Sequence, residues 1–152
     1  MPELVVERMV SFLEGIGLPV RTGSIAGRSF LPGITIDGGV LVIDKERLLY
    51  PGDLLHEAGH LAVLPPDKRS EIYGDVGTDA GLEMGAIAWS YAVALHLGID
   101  PAIVFHEAGY RGQSASILEN FAAARYIGVP ILEWVGLTTA QTFPAMRNWL
   151  RS

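Results

Sequence analysis

The chain contains no cysteine. That excludes disulfides and thiolate metal sites, so any metal must be held by imidazole and carboxylate groups. Positive charge is scarce as well: 11 Lys and Arg stand against 17 Asp and Glu, a formal net charge of −6. With no Lys/Arg cluster to displace counterions from phosphates, no nucleic-acid partner is expected. Long apolar runs are also missing, since none reaches the roughly 18 residues of a membrane span. The first ten residues carry acids where a signal peptide would carry Lys or Arg. The expectation is therefore a cytoplasmic chain with no membrane association.

What is present is an apolar chain. Apolar residues make up 49% and charged residues 18% of 152, on the hydrophobic side for a soluble protein. This length suits one domain, 1–152, with a real core. The apolar excess leaves room for a homo-oligomer interface. Pro2 and the stripe Leu4, Val5, Met9, Val10, Phe12 and Leu13 predict a first helix ending at Gly15 or Gly17. Pro19 to Ile25 reads as a strand, and residues 34–43 as a hairpin turning at Asp37-Gly38-Gly39. Asp53 is placed to cap a helix that stops at Pro65-Pro66. Asp67 to Gly77 has loop chemistry. A long helix is predicted from about Asp79 to Leu97, capped by Thr78 or Asp79 and ended by Gly98. Shorter helices follow at 101–108, 113–126 and after Pro130. The fold class is α+β, with a small antiparallel or mixed sheet, one site-bearing helix and a helical C-terminal part.

Residues 56–60 read His-Glu-Ala-Gly-His. This fits HExxH: imidazoles at i and i+4 share one helical face and can grip a divalent metal, with the Glu placed to act on a metal-bound water. The flanking Leu54, Leu55, Ala58, Gly59, Leu61 and Ala62 are uncharged, as expected where only the metal-facing edge of a buried helix is polar. The bland alternative is a structural pair of histidines. A zinc site needs at least three protein ligands, and the downstream candidates are Glu71, Asp75, Asp79, Glu83, His96, His106 and Glu107. Glu83 is the strongest, because it is set among apolar residues where a carboxylate is costly without a partner. Asp79 is the alternative ligand, or else Asp79 or Asp75 orients a ligand histidine. His96 reads as a histidine at a helix C-terminus, and Trp89, Trp134 and Trp149 read as core.

HExxH on one helix with a glutamate on the next long helix resembles the gluzincin branch of the zincin metalloproteases, whose best-known member is thermolysin. The small ImmA/IrrE-like gluzincins are nearer in scale. The resemblance covers roughly residues 34–95. It implies a zincin-like fold in which Zn²⁺ is held by His56, His60 and Glu83, and a peptide or protein substrate lying along an edge strand at Val40 to Asp44. Hydrolysis would proceed through a zinc-bound water activated by Glu57. His106, Tyr110 and Tyr73 are the candidate oxyanion donors. His106 and Tyr110 lie in Phe105-His-Glu-Ala-Gly-Tyr110, an echo of the motif read as coincidence. Ile87 stands where thermolysin has an acid, four residues after the third ligand. Two other readings stay open: a zincin-like module that keeps zinc for stability or partner binding, and a non-peptidase metallohydrolase.

Overall fold

A computed structural model describes residues 2–27, 29, 31–74 and 79–152. The first helix, α1 (Pro2–Ile16), buries Val6, Met9 and Leu13 on one stripe. Three strands follow: β1 (Val20–Thr22), β2 (Ile34–Asp37) and β3 (Val40–Ile43). Gly38 and Gly39 turn the hairpin with φ of 58° and 82°. This is the pair of left-handed conformations that a two-residue turn requires and glycine supplies without strain. β1 is shorter than the Pro19–Ile25 strand expected.

The region expected to be loop between 67 and 77 holds a short helix, α3 (Pro66–Arg69), and a two-residue strand, β4 (Tyr73–Gly74). β4 pairs with β2, giving a mixed sheet of order β1-β3-β2-β4. β3 is therefore interior, parallel to β1 and antiparallel to β2. This corrects the expectation that residues 40–44 form the edge that receives a substrate: both sides of β3 are already hydrogen-bonded, and the edges are β1 and β4. Leu41, Val42 and Ile43 are all buried, as befits a central strand and not an alternating edge.

The motif helix, α2 (Asp53–Val63), buries every residue but His56. It crosses the long helix α4 (Ala80–Leu97) closely: a Cβ on Gly59 would lie 2.9 Å from the Ala86 carbonyl oxygen and 3.2 Å from Cε3 of Trp89. Asp79 accepts a hydrogen bond from the Leu82 amide (2.9 Å) and caps α4, and Gly98 ends it with φ 68°. Asp53, by contrast, makes no cap bond; it is the first residue of α2, and Gly52 takes the capping position. The other proposed cap, Thr78, lies outside the described residues.

The last carbonyls of α2 are satisfied by two arginines. Arg69 Nε donates to Leu61 O (2.8 Å), and Arg151 donates through its backbone amide to Ala62 O (2.9 Å) and through Nη1 to Val63 O (3.1 Å). Guanidinium groups there satisfy orphan acceptors and complement the negative end of the helix. The C-terminal part is helical, with α5 (Pro101–Val104), a 3₁₀ turn at Tyr110–Gly112, α6 (Ser114–Ala122) and α7 (Val129–Trp134). α5 and α6 are shorter than expected, and α7 starts before Pro130. Among the described residues, no helix is long and apolar enough to cross a membrane.

Candidate metal centre

His60 follows His56 by four positions, a little over one helical turn. Their rings meet edge to face with centroids 4.8 Å apart. One ligand atom from each of His56, Glu57 and His60 falls within 4.8 Å of the others, a cluster able to hold a metal ion. The site is sheltered: side-chain exposure is 12% for His56 and 7% for His60, and Glu57 is buried. Burial pushes the His56 imidazole down to about 4, against the pull of Glu83. It is therefore neutral, the state a metal ligand needs.

This depression has a measurable consequence. The unfolded chain takes its proton near 6.5 and the folded one only near 4, so protons favour unfolding between those values. Metal-free protein is expected to lose stability as pH falls below 6.5, by roughly 2 kcal/mol at pH 5 at about 1.4 kcal/mol per pH unit. Imidazole NMR resonances of metal-free protein check it. A His56 signal that titrates near 6.5 contradicts the expectation.

Glu83, in the first turn of α4, bridges both imidazoles. Its Oε1 lies 3.2 Å from His56 Nε2, and its Oε2 lies 2.6 Å from His60 Nε2. At 39% side-chain exposure it is less buried than its apolar sequence neighbours suggested. Partial burial raises its carboxyl, but the hydrogen bond with His60, together with the electrostatic pull of the neighbouring His56, His60 and Arg111 side chains, outweighs burial and holds it below its ordinary value. Two imidazole nitrogens converging on one carboxylate, with no thiolate in the chain, form a nitrogen and oxygen donor set of the kind that holds a divalent metal ion.

Tyr110 and His106 are both brought to α2, but away from the Nε2 face. The Tyr110 hydroxyl lies 3.1 Å from Nδ1 of His56, the ring nitrogen that does not meet Glu83. Ser90 on α4 is its further hydrogen-bonding neighbour, and the Ser90 hydroxyl in turn donates to Ala86 O (2.8 Å). Burial raises the phenol well above 10, so it stays a neutral hydroxyl that can donate to Nδ1 or accept from Nδ1–H. That freedom serves either imidazole tautomer and holds the ring in place. Tyr110→Phe is accordingly expected to weaken binding of a divalent metal about 10-fold, the lower end of what such partners contribute. Competition against a chromophoric chelator would measure it. Affinity within twofold of the parent would remove Tyr110 from this role.

Nε2 of His106 is taken by Asp53 Oδ1 at 2.6 Å, and its ring stacks on Tyr50 with centroids 4.1 Å apart. The pair is largely buried, and burial raises the Asp53 carboxyl against the bond to His106. It ties the 106–110 segment to the first turn of α2. The echo of the motif therefore has a structural use: its His and its Tyr both dock on α2.

The remaining candidates lie elsewhere. Glu71 is exposed and 3.5 Å from Lys68 Nζ. Asp79 caps α4, Glu107 is exposed, and Tyr73 is exposed on β4. His96 packs against Phe12 and Trp149. Asp75 lies outside the described residues. Of the tryptophans, Trp89 is core, but Trp134 is 72% exposed beneath the Arg151 guanidinium. Sequence reasoning missed Asp53 as the partner of His106, and it missed Ser90 and Arg111. None carries a motif; the nearest signal for Asp53 was its place one turn before His56. No family model, curated protein or solved structure matches this chain. Fold and site together define an α+β protein with a His/Glu cluster that could hold a metal ion.

Proposed function

We propose that this chain is a zinc-dependent hydrolase of gluzincin type that cleaves peptide bonds. The observation that carries the reading is the convergence of His56 Nε2 and His60 Nε2 on the Glu83 carboxylate, beside Glu57. His56, His60 and Glu83 would hold the ion. When bound, zinc polarises a carbonyl and lowers the pKa of water from about 15.7 toward 7. Glu57 takes up the proton of the attacking water and delivers it to the leaving amine. Tyr110 keeps the His56 ring in register, and the His106–Asp53 pair keeps the Tyr110 segment on α2.

A metal retained only for stability or partner binding is the second reading, favoured by the burial of Glu57 and His60, which leaves little of the cluster open to a substrate. A carboxylate at position 57 argues against it, because a purely structural site has no use for a base there. The test exposes a peptide library to the zinc-loaded protein and to Glu57→Gln. Cleavage by the parent alone supports the peptidase. Absence of cleavage with zinc bound favours the second reading, and hydrolysis of small amides or esters alone favours a non-peptidase metallohydrolase.

A further inference from the structure

The segment that carries Tyr110 to His56 is strained. Tyr110 and Arg111 have φ of 57° and 54°, followed by Gly112 at 79°. Two successive non-glycine residues in the left-handed region cost on the order of 1–3 kcal/mol each, and such strain concentrates at ligand clamps and active sites. The arc is fixed at both ends. The Tyr110 hydroxyl is on His56, and Ser114 Oγ donates to the His106 carbonyl at 2.6 Å. Arg111 is the next residue in the chain and so starts about 3.8 Å, Cα to Cα, from a residue touching the site. Arg111 is exposed, and its charge acts on Glu83. Among the described residues it forms no ion pair or side-chain hydrogen bond.

Charge counting gives this arrangement a direction. A divalent ion held by two neutral imidazoles and Glu83 carries one net positive charge. Arg111 adds a guanidinium charge that acts on Glu83. A guanidinium presents a planar fork of donors that matches a carboxylate, and such charge-assisted pairs are the strong ones. Resting on the peptidase reading, we infer that Arg111 is a specificity-determining residue that binds a carboxylate of the substrate. The substrate class is then a peptide with an anionic group near the scissile bond, either a free C-terminus or an acidic side chain.

The experiment uses zinc-loaded Glu57→Gln protein, which can hold peptides without turning them over. Zinc content is measured first, in this protein and in its Arg111→Ala form. Titration calorimetry then compares N-acetyl-trialanine as the free acid, the same peptide as its C-terminal amide, and N-acetyl-Ala-Glu-Ala amide. At least one anionic peptide is expected to bind about 10-fold tighter than the neutral amide. The acid points to a C-terminal carboxylate, and the Glu peptide to an acidic side chain. Arg111→Ala should erase the preference while leaving zinc content and neutral-amide affinity unchanged, and Arg111→Lys should restore part of it. Equal binding of the three peptides, no binding, or a preference that survives Arg111→Ala overturns the inference. Failure to load zinc overturns the peptidase reading itself, and it is seen before any peptide is added.

Discussion

Glu57→Gln is expected to leave zinc binding intact and to cost roughly 10²–10⁴-fold in hydrolysis rate, the usual contribution of a positioned general base. Glutamine has nearly the same shape as glutamate and keeps hydrogen-bonding capacity, so the buried position on α2 is not emptied. The groups proposed to hold the metal, His56, His60 and Glu83, are untouched. What is lost is the ability to accept a proton. Zinc content and turnover therefore separate: content near the parent value with turnover nearly gone marks a base. Loss of zinc together with activity would assign Glu57 to metal binding, since its carboxylate lies in the same cluster as the imidazoles. Full activity in the variant would remove it from the chemistry.

The second large effect concerns metal retention. His60→Ala should abolish stoichiometric zinc binding, because it removes one of two imidazoles and leaves Glu83 Oε2 without its 2.6 Å partner. Glu83→Gln should weaken binding by 10-fold or more, as a direct ligand should matter at least as much as the roughly 10–100-fold of supporting partners. Glu71→Gln and Glu107→Gln, at exposed positions, should change nothing. Thermal denaturation gives an independent readout. Zinc at about 100 times its Kd stabilises by about 2.7 kcal/mol. At about 2–4 °C per kcal/mol for a domain of this size, the parent should gain roughly 5–10 °C. The His60→Ala protein should gain none. An equal gain in both proteins would place the metal elsewhere.

Local order was legible in the sequence. The i, i+4 spacing of His56 and His60 fixes their shared face once the segment is helical, and the helix is signalled by its own apolar neighbours. Asp37-Gly38-Gly39 gave the hairpin for an equally local reason: left-handed turn conformations favour glycine. Asp79 and Gly98 bounded α4 as cap and stop residues do. Glu83 stood out as a carboxylate among apolar residues, and that argument needs only composition.

Other features were decided by packing alone. The two-residue strand β4 has no sequence pattern; it exists because Tyr73 and Gly74 meet β2, and that meeting turns residues 40–43 into an interior strand. Asp53 looked like a cap because its residue type suits one, but His106, 53 positions away, offered its carboxylate a buried partner. Tyr110 reaches His56 through left-handed backbone that its own side chain disfavours and only the surrounding contacts can hold. Sequence periodicity thus fixed which atoms share a helix face, since that geometry repeats every few residues. Which side chains meet across α2, α4 and the 106–112 segment depends on long-range packing, which no local spacing encodes.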